Sequence, residues 1–256
     1  MIALPAYLTP AVGKKAAGTV HSVFDHAVNV RLDTLTGPRL ITLISRRYSR
    51  VPDSILMPEG VFRTFDTGDP CVLDQDMILI GRRQLTVARV DELSRIRIKK
   101  GFSRDGIDAL LEFTSVGSTG LDGLPPERRE QAVSALGAKN GADFIGLGPG
   151  LTPSYDDACV GVMAVFAAAD REAPFKITDD DLAGTTFVSA RYLRLAREGY
   201  FGEAIVRVLE AVGTGRDVRR RALELEWIGA TSGRDILFGM RQALLALERM
   251  GALPER

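Results

Sequence analysis

A glycine-rich turn that leads into an apolar helix is the part of this sequence with the clearest capacity for chemistry. It reads FIGLGPGLTPSYDD over residues 144–157, with a glycine at every second position from 146 to 150. Glycines at this spacing allow positive φ angles and a close approach of the backbone to another group. The helix that follows would begin with unpaired N–H groups and the positive end of its dipole, which suits an anion. The predicted binding residues of the turn are Gly148, Gly150, Leu151, Thr152 and Ser154.

A helix cap is the alternative interpretation of this turn. Either Thr152 or Ser154 would serve as the N-cap, and Ser154 with Asp157 has the spacing of a capping box. One cap does not require three glycines, a proline and two adjacent acids, so we favour the functional interpretation. The turn is not a Walker A loop, because no Gly-Lys-Ser/Thr follows, and Leu151 stands where a dinucleotide fingerprint needs its third glycine.

A second segment repeats the spacing of the first. The sequence TSGRDILFG at 231–239 contains Ser-x-x-Asp-x-x-x-Gly, which also occurs at 154–161. We expect Thr231, Ser232 and Gly233 to close the opposite side of one site, with the last glycine of each motif admitting a neighbouring backbone. The alternative is two unrelated caps, since Ser-x-x-Asp is common by chance. Ser189 lies at a further predicted helix start. It would either line a third side of the site or belong to a polar cap.

Asp156 and Asp157 create a conflict with a bound anion. Two carboxylates beside a phosphate would repel it unless a cation lies between them, so Mg²⁺ held by Asp156 is one alternative. A neutral amide or amine substrate and a general base are the others. Because adjacent helical residues diverge by about 100°, we expect Asp156 to face the ligand and Asp157 to pair with Ser154. We predict Asp156 and Ser154 as the catalytic residues.

The scarce residue types exclude several kinds of site. Two cysteines, Cys71 and Cys159, stand far apart without a CxxC partner, which excludes a disulfide framework and a thiolate metal site. The only histidines are His21 and His26, too few for a His-rich zinc or iron site. The 33 basic and 33 acidic residues balance, and no basic stripe indicates nucleic acid.

The sequence carries no sign of a secretory or membrane protein. The lysines of the first 15 residues follow the apolar ones, the reverse of a secretory signal. The longest apolar stretch, Ala158–Ala169, is too short to span a bilayer. We therefore predict a cytoplasmic protein that binds no membrane.

The predicted elements that position the site fall into a β-rich part and a helical part, with a boundary near residues 99–104. Short β-prone runs separated by turn formers predict an antiparallel barrel or sandwich in the first part. These runs are 19–24, 27–32, 40–44, 71–73, 77–80 and 85–90. Charge changes at the same point, with 15 Lys+Arg and 10 Asp+Glu in residues 1–100 against 18 and 23 afterwards. We predict a β-rich domain at 1–100 and an α-helical domain at 101–256.

Helical periodicity dominates the second part. Apolar residues recur every three or four positions at 188–196, 205–212 and 236–247, and Pro125-Pro126 precedes a further helix at 127–136. Short connections that contain glycine are typical of a compact bundle. The predicted fold class is α+β, with a barrel- or sandwich-like unit followed by a helical bundle that carries the glycine-rich motif.

Three of these segments resemble a bacterial family of carbamoyltransferase subunits. They are GLGPGLTPSYDDACVG at 146–161, TFVSARYLRLAREG at 186–199 and IGATSGRDILFG at 228–239, with a diffuse likeness in GTVHSVFDHAVNV at 18–30 and VPDSILMP at 51–58. The family, once labelled only as carboxylases, is that of the AllH-type subunit of oxamate carbamoyltransferase. The resemblance implies anaerobic allantoin and purine-nitrogen catabolism, in which oxalurate and phosphate give oxamate and carbamoyl phosphate. It also implies several partner subunits.

One residue departs from the family pattern. The family usually reads Thr-Pro-Ser-Gly-Asp-Asp, and this chain has Tyr155 at the glycine. A tyrosine there would fill part of the pocket or lie over the substrate. We predict a carbamoyltransferase subunit that binds phosphate or carbamoyl phosphate at Gly148–Ser154. A non-catalytic assembly subunit and an ATP-dependent carboxylase or ligase are the alternatives, and homo-oligomerisation is left open.

Overall fold

The computed structural model describes residues 3–9, 12–89 and 101–255. The chain divides into two units, Met1–Ser94 and Arg95–Arg256. The domain boundary predicted near 99–104 lies partly outside the described residues. Within the described part, no helix is long and apolar enough to cross a membrane.

The strands of the described residues form a closed barrel in the order β1-β5-β4-β3-β2-β6-β7-β8. They are β1 (Leu4–Tyr7), β2 (Lys15–Val23), β3 (Ala27–Thr34), β4 (Gly37–Ser45), β5 (Ser54–Met57), β6 (Pro70–Asp74), β7 (Met77–Ile80) and β8 (Arg83–Arg89). Strand β3 shows why they form, because fully buried Val28, Val30 and Leu32 alternate with exposed Arg31 and Asp33. The alternation places one face of the strand in the barrel core.

Two pairings of the barrel are parallel. Strand β5 pairs with β4 in parallel, and β1 closes the barrel in parallel beside β8. The expectation of a purely antiparallel sheet is wrong at these two places, since the chain crosses over between β4 and β5 instead of turning back in a hairpin. The other pairings among the described strands are antiparallel.

Eight α-helices make up the described part of the second unit. They are α1 (Arg104–Phe113), α2 (Pro126–Ala135), α3 (Ser154–Ala168), α4 (Asp179–Leu182), α5 (Phe187–Arg197), α6 (Glu203–Thr214), α7 (Val218–Glu226) and α8 (Ser232–Arg249). In α3 every residue except Ala167 is buried, as expected of a helix that is apolar around its circumference. The predicted helical unit is therefore built around α3, which carries the glycine-rich motif at its start.

Helices α3 and α8 cross at the last glycines of the two Ser-x-x-Asp-x-x-x-Gly motifs. A Cβ on Gly161 would lie 2.1 Å from the Ile236 carbonyl oxygen, and a Cβ on Gly239 would lie 1.9 Å from that of Ala158. Ala158 and Ile236 hold equivalent places in their motifs, four residues after the serine. The predicted role of these glycines in backbone packing is confirmed, and the crossing is reciprocal.

Candidate functional site

The glycine-rich turn takes a backbone conformation that requires its glycines. Gly146, Gly148 and Gly150 have φ angles of +88°, +117° and +95°, a region that side chains with a Cβ rarely adopt. A Cβ on Gly148 would also lie 2.8 Å from the Ser154 nitrogen. The turn is thereby folded against the first residue of α3.

The turn leaves a row of N–H groups without a protein acceptor. Within the described residues, the amides of Gly148, Gly150, Leu151 and Thr152 donate to no carbonyl or side chain. Gly150 and Leu151 are exposed, and Gly148 and Thr152 are half-buried. These donors belong to exposed or half-buried residues at the positive end of the α3 dipole, an arrangement that favours an anion.

No side chain caps α3. The helix begins at Ser154, and Pro153 occupies the N-cap position without a side-chain hydrogen bond. The expectation that Thr152 or Ser154 caps the helix is therefore wrong, and so is the pairing of Ser154 with Asp157 inside one helix. The hydroxyls are instead directed towards the start of α8.

The N-termini of α3 and α8 meet through their polar side chains. Thr152 Oγ1 and Ser232 Oγ lie 2.9 Å apart, and both side chains lie beside the Asp157 carboxyl. In the reciprocal arrangement, the Ser154 hydroxyl lies beside the Asp235 carboxyl. The serine of each motif thus faces the aspartate of the other motif.

The start of α8 is fixed by one close backbone contact and by one hydrogen bond. A Cβ on Gly233 would lie 1.9 Å from the Leu225 carbonyl oxygen at the end of α7. The Gly120 amide donates to Asp235 Oδ1 at 2.9 Å. Gly233 therefore sets the position of α8, while the neighbouring Ser232 faces the turn.

Asp156 is a buried acceptor for three protein donors. Its side chain accepts from the Gly146 amide at 2.7 Å, the Thr185 hydroxyl at 2.5 Å and the Ser189 hydroxyl at 2.5 Å. Asp156 is only 1% exposed. It joins the glycine-rich turn to the start of α5, and the predicted site residue Ser189 contacts Asp156.

Two further acids lie at the base of the site. Burial raises the pKa of the Asp157 carboxyl well above its usual range, against the opposing effect of the nearby Ser232 and Thr152 hydroxyls. Burial likewise raises the pKa of Asp235, against hydrogen bonds from Gly120 and other neighbours. A larger neutral fraction of both carboxyls reduces the repulsion of an anion.

Among the described residues, no group of three or more His, Cys, Asp or Glu side chains is arranged to hold a metal ion.

These raised pKa values predict that the helical unit loses stability as pH rises. Above the ordinary Asp pKa near 4 the unfolded chain has released its protons while folded Asp157 still holds one, so the folded state binds more protons. The free energy of unfolding should fall by about 1.4 kcal/mol per pH unit for each such group until pH passes its folded pKa. Denaturant titrations followed by helical circular dichroism will measure this slope.

Replacement of the Asp157 carboxyl by an amide isolates its contribution to the pH dependence of the free energy of unfolding. Asp157→Asn should flatten the pH dependence, whereas Asp180→Asn, at an exposed position of α4, should leave it unchanged. An identical slope in wild type and Asp157→Asn would contradict the assignment.

Tyr155 belongs to the hydrophobic core and does not lie over the turn. Its side chain is fully buried, its hydroxyl donates to the Gly141 carbonyl at 2.9 Å, and its ring packs on Phe144. The expectation that it covers the substrate is wrong, because the second residue of α3 points into the helical unit. The tyrosine that stands at the family's glycine position is thus part of the hydrophobic core.

Removal of the Tyr155 hydroxyl should destabilise the protein. Tyr155→Phe removes the Tyr155 hydroxyl as a donor to the buried Gly141 carbonyl, and we expect a loss of about 1 kcal/mol in the free energy of unfolding. Tyr48→Phe is the matched control, since the Tyr48 ring contacts His26 and a phenylalanine preserves that contact. Equal stability of Tyr155→Phe and wild type would contradict the role given to this hydroxyl.

A cavity of about 1080 Å³ lies beside α2 and α8. Arg129, Val133, Phe238 and Gln242 are among its lining residues, and none of the predicted site residues is. It meets the site region through Asp122, whose charge contributes to the raised pKa of Asp235. The predicted residues lie outside this cavity, at the glycine-rich turn and at the starts of α3, α5 and α8.

Sequence reasoning missed two participants in this arrangement. Asp235 contacts the site through Ser154, and Gly120 packs so closely that a Cβ would lie 1.9 Å from Ser154 Oγ. The repeated motif held the signal for Asp235, which corresponds to Asp157. Gly120 has no such signal, because its role depends on a turn 34 residues before Ser154.

Fold and site together define an α+β protein with a β-barrel and a helical unit in which two helix N-termini converge beside a glycine-rich turn. A family model described as the AllH family N-terminal domain matches residues 4–92, and one described as oxamate carbamoyltransferase subunit AllH matches residues 144–244. The chain belongs to the AllH family. No solved structure matches it.

Proposed function

We propose that this chain is a subunit of a carbamoyltransferase and that it binds phosphate, or the phosphate group of carbamoyl phosphate, between the N-termini of α3 and α8. One observation carries the proposal: the Thr152 and Ser232 hydroxyls meet at 2.9 Å directly beside the unpaired amides of the turn. Amides, hydroxyls and two helix dipoles together form a donor set suited to a phosphate.

The buried acids have different roles in this proposal. Asp156 is a positioning residue, because its hydrogen bonds with Gly146, Thr185 and Ser189 hold the turn in place. Ser154 and Asp157 lie beneath the anion and adjoin the α8 motif. The raised pKa values of the Asp157 and Asp235 carboxyls lessen the charge repulsion that Mg²⁺ would otherwise relieve.

Titration of inorganic phosphate by calorimetry, with and without Mg²⁺, tests the anion site. We expect binding in the millimolar range, about −4 kcal/mol. Thr152→Val and Ser232→Ala should each weaken it by roughly tenfold or more, since a hydrogen bond to a charged group contributes about 1.5–3 kcal/mol. Thr214→Val, at the end of α6, is the matched control. Absent binding, or unchanged affinity in both variants, would contradict the site.

The family description as a subunit of oxamate carbamoyltransferase supports a role within a complex. We propose that the chain acts with other subunits in ureide and purine-nitrogen catabolism. Turnover by the reconstituted complex tests whether the site is used. Loss of turnover in Ser232→Ala with intact assembly supports a substrate site, whereas full turnover favours an assembly role.

A further inference from the structure

The single tryptophan of the sequence is exposed to solvent at the end of α7. Trp227 is 78% exposed, although side chains of this size are mostly buried in folded proteins. Its backbone is held by the last turn of α7, since the Trp227 amide donates to the Leu223 carbonyl at 3.3 Å. Within the described part of the chain, the indole N–H has no acceptor and no cation lies over the ring. The helical unit therefore presents a large apolar side chain that its own core does not use.

Trp227 belongs to a stripe of three side chains along α7. Arg219, Leu223 and Trp227 follow each other at intervals of four residues and so lie on one face of the helix. Leu223 is 40% exposed, and Arg219 is exposed as well. Among the described residues the Arg219 guanidinium has no ion pair or hydrogen bond, whereas Arg220 pairs with Asp217 at 2.9 Å. The stripe thus combines an aromatic ring, an aliphatic side chain and an unpaired cation.

An open cavity of about 530 Å³ adjoins this stripe, and we call it the α1–α7 cavity. Ala109 of α1 and Val218, Arg219 and Leu223 of α7 are among its lining residues, and Trp227 is not. Cavities of about 300–1,000 Å³ hold drug-sized ligands, so this one has room for the smaller indole ring. The same helix therefore carries an exposed tryptophan and, about two turns before it, a cavity that a tryptophan could enter.

We propose that α7 forms the interface of a two-fold symmetric dimer, in which Trp227 of each copy enters the α1–α7 cavity of the other. A two-fold interface uses the same surface on both copies, so every contact occurs twice. Arg219 and Trp227 are equally far from Leu223 along the sequence. Antiparallel α7 helices that meet at Leu223 therefore bring the Arg219 of one copy to the Trp227 ring of the other. A guanidinium over an indole face is a favourable cation–π contact.

A second copy of this chain is the occupant that the charges and shapes favour. An unrelated partner would have to supply both a side chain for the cavity and a cover for Trp227, whereas a second copy supplies both with one set of contacts. The two Arg219 side chains would lie about 12 Å apart along the helix axes, which exceeds the screening length of about 8 Å at physiological salt. The chain has a formal net charge of zero, so its copies do not repel each other at long range.

Sedimentation velocity and intrinsic fluorescence of the full chain test this dimer without an added ligand. Because Trp227 is the only tryptophan, its emission reports on the proposed interface alone. As the protein concentration rises through the micromolar range, we expect conversion of monomer to dimer. The emission maximum should move to shorter wavelength over the same range, since the indole ring leaves water for the cavity.

Three variants locate the interface. Leu223→Lys places two like charges at the two-fold axis, and Trp227→Ala removes the side chain that enters the cavity. Each should weaken the dimer by about thirtyfold or more, because buried anchors of this kind dominate binding at interfaces. In Leu223→Lys the emission should stay at long wavelength at every concentration. Leu35→Lys, the same substitution at a fully exposed leucine between β3 and β4, is the matched control and should dimerise as wild type does.

The outcomes are distinct from those for the anion site, because no phosphate is present. A chain that remains monomeric, with the same emission at all concentrations, overturns the dimer. A dimer that persists in both Leu223→Lys and Trp227→Ala forms through another surface and also overturns it. Loss of the dimer in these two variants, with retention in Leu35→Lys and unchanged helical circular dichroism in all three, supports it.

Discussion

Gly239→Ala is expected to destabilise the helical unit by about 3 kcal/mol or more. Alanine favours a helix over glycine by about 1 kcal/mol, so helix propensity alone predicts stabilisation. The packing reverses the sign, because the new Cβ would lie 1.9 Å from the Ala158 carbonyl oxygen. The clash is with backbone, and it is relieved only by separation of α3 from α8.

Chemical denaturation followed by helical circular dichroism measures the effect. Gly161→Ala should behave in the same way, since its Cβ would lie 2.1 Å from the Ile236 carbonyl oxygen. Gly123→Ala is the matched control, with no atom within 4 Å of the added Cβ. Equal stability of Gly239→Ala and Gly123→Ala would contradict the helix crossing described above.

Asp156→Ala is expected to have the second large effect, a loss of about 3 kcal/mol or more in the free energy of unfolding. The substitution leaves the Gly146 amide and the hydroxyls of Thr185 and Ser189 without their acceptor. Hydrogen bonds to a carboxylate contribute about 1.5–3 kcal/mol each. Phosphate affinity should fall as well, because the turn loses its attachment to α5.

Hydrogen exchange at the Gly146 amide provides the specific readout for Asp156. Exchange there should accelerate strongly in Asp156→Ala and remain slow in Asp180→Ala, the exposed control. A destabilised variant with a still-protected Gly146 amide would show that the loss arises elsewhere.

Patterns of local spacing predicted the parts of the structure that depend on neighbouring residues. The β-prone run at 27–32 indicated strand β3, and alternate glycines from 146 to 150 indicated positive φ angles. The shared spacing of the two Ser-x-x-Asp-x-x-x-Gly motifs also predicted close backbone packing at Gly161 and Gly239. Each of these signals reflects a steric or solvation requirement that acts within one turn or one strand.

The missed features depend on contacts between distant segments. Strands β1 and β5 are four residues each, and their parallel pairings are fixed by closure of the barrel. The partners of Asp156 lie 29 and 33 residues further along the chain. No local pattern distinguishes a serine that caps its own helix from one that faces an aspartate on another. Only the fold shows that Ser154 faces Asp235 and that Ser232 faces Asp157.

The response of backbone amide resonances to inorganic phosphate tests most directly whether the N-termini of α3 and α8 hold one anion. If one anion is held by two converging helix N-termini, chemical shifts will change together at Gly148, Gly150, Leu151 and Ser232, with a single binding constant. The remainder of the helical unit should change little. Changes confined to other regions, or none at tens of millimolar phosphate, would contradict this anion site.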